Sequence, residues 1–147
     1  MSIKSISPLD GRYRSYIESL SDYFSEWGLI KYRLHVEIEW LIFMSERQEI
    51  THVRELNAHE SELLRSWVSE FDEQEALKVK EIEATTRHDV KAIEYYIREL
   101  ILETSLKDLS ESIHFCCTSE DINNLSYALM LKEGIQDEWI PSLSISA

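Results

Sequence analysis

The chain has 147 residues, with 15 Lys and Arg against 28 Asp and Glu, for a formal charge of −13. That length suits one domain that buries roughly 70% of the unfolded chain's surface, and the charge argues against nonspecific binding to nucleic acid or anionic membranes. Three glycines and two prolines are too few for hairpin-rich β folds or glycine-loop nucleotide folds, so an all-α domain is expected over residues 1–147.

Residues 1–12 read as an extended arm ending in a turn, because Ser7-Pro8-Leu9-Asp10-Gly11 holds turn formers in order. Helical structure is expected over 13–141. Trp27, Ile30, Leu34, Ile38 and Leu41 recur at spacings of three and four, which predicts a long helix over 27–46. Leu63, Leu64, Trp67, Val68 and Phe71 predict a second over 57–71. Asp72, with Glu75 three residues later, caps a third to about Thr85. Thr86 to Asp89 interrupts the pattern, and Val90, Ile93, Ile97 and Leu100 restart it to about residue 103. A short helical stretch follows at 108–113. Thr118 or Ser119 then caps a last helix whose apolar face carries Ile122, Leu125 and Leu129, with Glu120 and Asp121 suited to its positive end. Trp139-Ile140-Pro141 opens another apolar helix, and the atypical tail 142–147 stops it, so the chain reads as cut short. The four tryptophans fall at core spacing.

Met1 to Pro8 has no apolar leader core, and no apolar run nears membrane-spanning length. Cys116 and Cys117 are adjacent, which disfavours a bridge between them, and there is no CxxC. Reduced thiols and a cytoplasmic location are expected. Buried apolar filler is preferred for both cysteines over a nucleophile, which needs a paired base.

Four polar segments break the apolar pattern. Asp10-Gly11-Arg12-Tyr13 presents an arginine fork and a phenol on a glycine turn, good ligands for phosphate or carboxylate; the plainer reading is a surface turn. Thr85-Thr86-Arg87-His88-Asp89-Val90-Lys91 packs Arg, His and Lys into a helix junction of an acidic chain, where helix N-termini favour anions. Asp89 there either orients the His88 imidazole or is simply the cap. His114-Phe115-Cys116-Cys117-Thr118-Ser119-Glu120-Asp121 places two hydroxyls at a helix start, suited to a carboxylate or to plain capping. His35 and Glu39 sit four apart, but HExxH is absent and a third ligand is lacking, so a solvated face is preferred to a metal site.

Taken in order and spacing, these segments resemble the N-terminal part of the adenylosuccinate lyase family, within the fumarase/aspartase superfamily. The resemblance is carried by Ser7-Pro-Leu-Asp-Gly-Arg-Tyr13, Phe24-Ser-Glu26 with Lys31-Tyr-Arg33, Thr85-Thr-Arg-His-Asp-Val-Lys-Ala92, and Ile113-His-Phe-Cys-Cys-Thr-Ser-Glu-Asp-Ile-Asn-Asn124, and it covers 3–141. It implies an N-terminal helical domain that stops before the long central helix bundle. It also implies a homotetramer whose active sites gather motifs from three subunits, and no metal or organic cofactor. The implied activity is β-elimination of fumarate from adenylosuccinate, giving AMP, and from its imidazole-carboxamide counterpart in purine synthesis.

Charge builds up on an aci-carboxylate in such an elimination, and the leaving nitrogen needs an acid. Carried over by motif, the resemblance makes Arg12 and Tyr13 one substrate-binding pair. Arg87, His88 and Asp89 form a second binding segment, and Thr118 and Ser119 grip a carboxylate of the succinyl moiety. His114 matches a histidine near the site, and Lys91 is supported by the charge cluster alone. The family's general-acid histidine and general-base serine segments do not occur in this sequence. The 147 residues are therefore expected to bind a small anionic nucleotide without turning it over, with no catalytic residue and no metal ligand of their own. Two rivals stand beside this reading. One is a non-enzymatic nucleotide-binding or docking module derived from a lyase. The other is a superfamily lyase acting on argininosuccinate or aspartate, against which the Thr-Arg-His-Asp and Cys-Thr-Ser-Glu-Asp segments argue.

Overall fold

A computed structural model describes residues 6–145, with side chains described to residue 143. Among the described residues it holds helices and turns and no strand. The sequence expected helix 27–46; α2 spans Glu26–Ser45, and Ser25 caps it by accepting the Gly28 N–H at 3.1 Å. Helices α3 (Ala58–Ser69), α4 (Glu73–Thr86) and α5 (Asp89–Ile101) follow where the apolar stripes place them. Asn57 and Glu60 exchange side-chain and backbone bonds at the start of α3, and Asp72 Oδ1 accepts the Glu75 N–H at 2.9 Å at the start of α4. The stretch expected at 108–113 is a 3₁₀ helix, Lys107–Ser112. Helix α6 covers Ser119–Glu133.

Helix α2 buries residues all round its circumference and packs on α3, α4, α5 and α6. Such a helix sits at the centre of a bundle. Its Leu34, Ile38 and Leu41 join Leu64, Ile93 and Ile97 in the main core. Helices α2 and α6 run antiparallel. Tyr32 donates to Glu133 at the end of α6, and the Trp40 indole donates to the Phe115 carbonyl ahead of its start.

The two ends of the chain depart from expectation. Residues 1–5 and 146–147 lie outside the described residues. Within the expected arm, Ser7–Tyr13 is a run of tight turns: Ser7 Oγ accepts the Leu9 N–H, and the Pro8 carbonyl accepts from Gly11 and Tyr13. Two 3₁₀ turns, Arg14–Tyr16 and Glu18–Leu20, lead into a single helical turn, here α1 (Ser21–Phe24). Residues 142–145 do not stop the last helix. A π-helical turn (Gly134–Trp139) joins α6 to α7 (Ile140–Ile145), so the helical path runs past Pro141. Proline lacks an N–H and crowds the preceding turn, and a wider π turn just before it relieves that crowding.

Leu125 and Trp139 also depart from expectation, being 57% and 58% exposed. Trp27, Trp40 and Trp67 pack against the core as expected. No helix among the described residues is long and apolar enough to cross a membrane.

Candidate functional site

Two of the four polar segments come together. Helix α4 ends at Thr86, and Arg87 reverses the chain in the left-handed region at φ 53°. His88, rather than Asp89, then caps α5: its Nδ1 accepts the Lys91 N–H at 3.2 Å. An Nδ1 that accepts from an amide leaves the ring hydrogen on Nε2. That Nε2 lies 3.5 Å from the hydroxyl of Ser119, the first residue of α6. The N-termini of α5 and α6 therefore converge.

Asp89 does not cap α5; it lies 3.7 Å from His88 Nδ1 through Oδ1. Its Oδ1 accepts the Val90 N–H at 2.9 Å, and its Oδ2 accepts from Arg33 Nη2 at 2.6 Å. Arg33, on α2, is 5% exposed. Its Nε also donates to Asn123 Oδ1 on α6 at 2.9 Å. One guanidinium thus clamps the beginnings of α5 and α6 to α2. Burial raises the Asp89 carboxyl, while the Val90 amide and Arg33 lower it, and the balance leaves it below the ordinary carboxylate range.

The loop before α6 is backbone-strained. His114 and Cys116 have φ of 62° and 59°, a region that non-glycine residues occupy at a cost. His114 Nδ1 lies 2.6 Å from Oε1 of Glu37, one helical turn beyond Arg33 on α2. Thr118 donates from both its backbone N–H and its hydroxyl to Asp121 Oδ2, each at 2.7 Å. Lys91 bonds the buried Glu94 at 2.7 Å and lies over the Tyr95 ring.

Cys117 is half-buried, and burial pushes its thiol up to about 11, which suits filler and not a nucleophile. Cys116, expected to be buried, is exposed, because the left-handed turn at 116 directs the chain away from the core. Glu39 is held by Arg65 at 2.7 and 3.0 Å, so the His35–Glu39 spacing reflects an ion pair to α3.

Arg12 and Tyr13 stand apart from this cluster. The Arg12 guanidinium lies 5.9 Å from the Tyr13 ring. Among the described residues no bond joins either one to the 85–91 or 114–121 segments. The turns that follow them carry Tyr16, Leu20 and Phe24 against Gly134, Ile135 and Trp139. That contact sits past the C-terminus of α6, and Ser119 sits at its N-terminus, roughly 22 Å away along 15 residues.

Sequence reasoning did not single out Arg33, Glu37 and Asn123 as site residues. The signal available was that Arg33 and Glu37 fall beside the Ile30, Leu34, Ile38 and Leu41 stripe of the central helix. A buried charge in such a helix needs a partner.

Residues 11–144 match a family described as Lyase. The chain is 47% identical over 142 residues to the adenylosuccinate lyase of Haemophilus influenzae, covering 93% of this chain and 31% of that protein. It is 46% identical over 142 residues to the adenylosuccinate lyase of Vibrio cholerae, covering 96% and 31%. It is 45% identical over 141 residues to that of Escherichia coli K12, covering 95% and 31%. The chain thus spans 31% of the length of these curated relatives.

Proposed function

The chain belongs to the lyase family, and we propose that it supplies part of the substrate-binding side of an adenylosuccinate lyase. The parent reaction is a carbon–nitrogen β-elimination that releases fumarate from adenylosuccinate, and from the succinyl imidazole-carboxamide ribotide, in purine nucleotide synthesis in the cytoplasm. The supporting observation is the convergence of α5 and α6, with His88 Nε2 and Ser119 Oγ 3.5 Å apart at two helix N-termini. His88 donates from Nε2 and Ser119 offers its hydroxyl at the N-terminus of α6, while the Thr118 hydroxyl is held by Asp121. Such a set of donors suits a carboxylate whose charge grows in the transition state. Arg87, exposed beside His88, adds a cation at the rim. Asp89, half-exposed, completes the Arg87-His88-Asp89 binding segment and ties it to Arg33.

Proton transfer from carbon and to the leaving nitrogen belongs to segments outside these 147 residues. In this reading Arg12 and Tyr13 serve a neighbouring subunit's site in a homotetramer, because their own α6 separates them from Ser119.

The test is fumarate release from adenylosuccinate. In a full-length lyase carrying this segment, Ser119→Ala and His88→Ala are each expected to lower kcat/KM about 100-fold, the scale of one lost transition-state donor. The 147-residue chain alone is expected to release none. Wild-type rates in Ser119→Ala would remove the site. Turnover by the lone chain, above its own His88→Ala background, would overturn the division of labour.

A further inference from the structure

Resting on that reading of the site, we infer that Glu37 is a positioning residue that holds His114 as a charged imidazolium, with Nδ1–H turned to the Glu37 carboxylate and Nε2–H left for an anionic group of the substrate.

Glu37 has no exposed side-chain surface. Its Oε1 meets His114 Nδ1 at 2.6 Å, and its Oε2 has no hydrogen-bond partner. A carboxylate in that position is costly unless a cation sits against it, and His114 is the titratable group in contact with it. The groups facing His114 from the packed helices are Glu37 on α2, Glu94 and Lys91 on α5, and Asp121 on α6. Lys91 is itself held by Glu94. Three carboxylates against one ammonium favour the protonated ring, and the Glu37 bond, the largest influence, holds the His114 pKa above its ordinary value. The His114 side chain keeps 18% of its surface exposed, and among the described residues no bond engages Nε2. The left-handed backbone at His114 is the local cost of presenting the ring this way.

The contrast with His88 sharpens the assignment. His88 Nδ1 meets a backbone N–H. His114 Nδ1 faces a buried carboxylate, which keeps that ring charged. Two histidines in one region thus meet opposite partners at Nδ1, a donor in one case and an acceptor in the other.

Long-range ¹H–¹⁵N spectra of the histidine-labelled chain test this directly. At pH 7, both His114 ring nitrogens are expected to carry protons, and His114 should titrate above the ordinary imidazole range. Glu37→Gln keeps an oxygen for Nδ1–H but removes the charge, so the His114 titration should fall by about one to three pH units. A wild-type His114 that is neutral at pH 7, or a titration unchanged in Glu37→Gln, overturns the proposal. The wild-type spectra decide the first point even where the variant does not fold.

No substrate is involved in these spectra, so they stand or fall separately from the fumarate assay. In a full-length lyase, Glu37→Gln should move the alkaline limb of kcat/KM to lower pH. A merely structural loss would instead depress the profile equally at every pH.

Discussion

Arg33 carries more of the architecture than any group at the polar surface of the site. It lies on the central helix, almost wholly buried, and its fork meets two acceptors near the starts of two other helices: Asp89 Oδ2 at 2.6 Å and Asn123 Oδ1 at 2.9 Å. A planar guanidinium spans two acceptors at a fixed angle, which an ammonium does not. Arg33→Met keeps the apolar stem and removes the fork. Asp89 is half-exposed and recovers water, so the cost is that of lost charge-assisted hydrogen bonds, about 1.5–3 kcal/mol. Arg33→Lys should recover only part of it. Urea unfolding of the three chains reads both; a Met variant within about 0.5 kcal/mol of wild type, the scatter of ordinary surface changes, would deny Arg33 this role.

At the scale of elements, what was legible in the sequence is what repeats or caps. The stripes of α2, α3 and α5 show because 3.6-residue periodicity needs an apolar face, and Asp72 shows because a carboxylate three residues before Glu75 is a local cap. At the start of α5, residue type leaves two readings for Asp89, and the cap falls to His88. Asp89 is the better capping residue by preference, but the buried Arg33 draws its carboxylate aside and leaves the Lys91 amide to His88. The turns between Tyr13 and Phe24 are too short to carry a period. At the site, the donors Thr118, Ser119 and His88 were legible by motif; Glu37 was not, because its partner is 77 residues away.

The same short N-terminal turns explain why two glycines behave differently. A Cβ at Gly28 meets the backbone carbonyl oxygen of Tyr23 at 2.7 Å, where α1 crosses α2. A Cβ at Gly134 meets the Phe24 ring edge at 2.7 Å, and Phe24 is 46% exposed and free to turn. Alanine gains up to about 1 kcal/mol of helix preference at either position, and overpacking against fixed atoms costs about 1–3 kcal/mol. Gly28→Ala should therefore destabilise the chain by about 1–2 kcal/mol, while Gly134→Ala stays within about 1 kcal/mol of wild type. Equal unfolding midpoints for the two variants would mean that the α1 backbone yields as readily as a side chain.

For the whole molecule, the decisive length is that of α6. Its start holds Ser119 beside His88, and its end receives the turns that follow Tyr13, with the helix itself, roughly 22 Å, between them. One polar donor set works on a substrate group only within hydrogen-bond reach, so the proposal above gives Arg12 and Tyr13, whose following turns pack at the far end of α6, to another copy's site. In the homo-oligomer proposed above, each copy's Tyr13 end meets another copy's Ser119 end, and every site is shared. Arg12→Ala and His88→Ala, each made in a full-length lyase carrying this segment, should both be nearly inactive in fumarate release. Dissociated, mixed and reassembled, the two should regain activity, because some interfaces then hold a wild-type Arg12 from one chain and a wild-type His88 from the other. Random mixing of the two variants leaves a fraction of sites intact, so the recovered rate should rise with the mixing ratio to a maximum near equal parts. A mixture that stays as inactive as its components, while gel filtration shows that mixed oligomers have formed, would place Arg12 and His88 in one chain's site and would require the N-terminal turns to swing the length of α6.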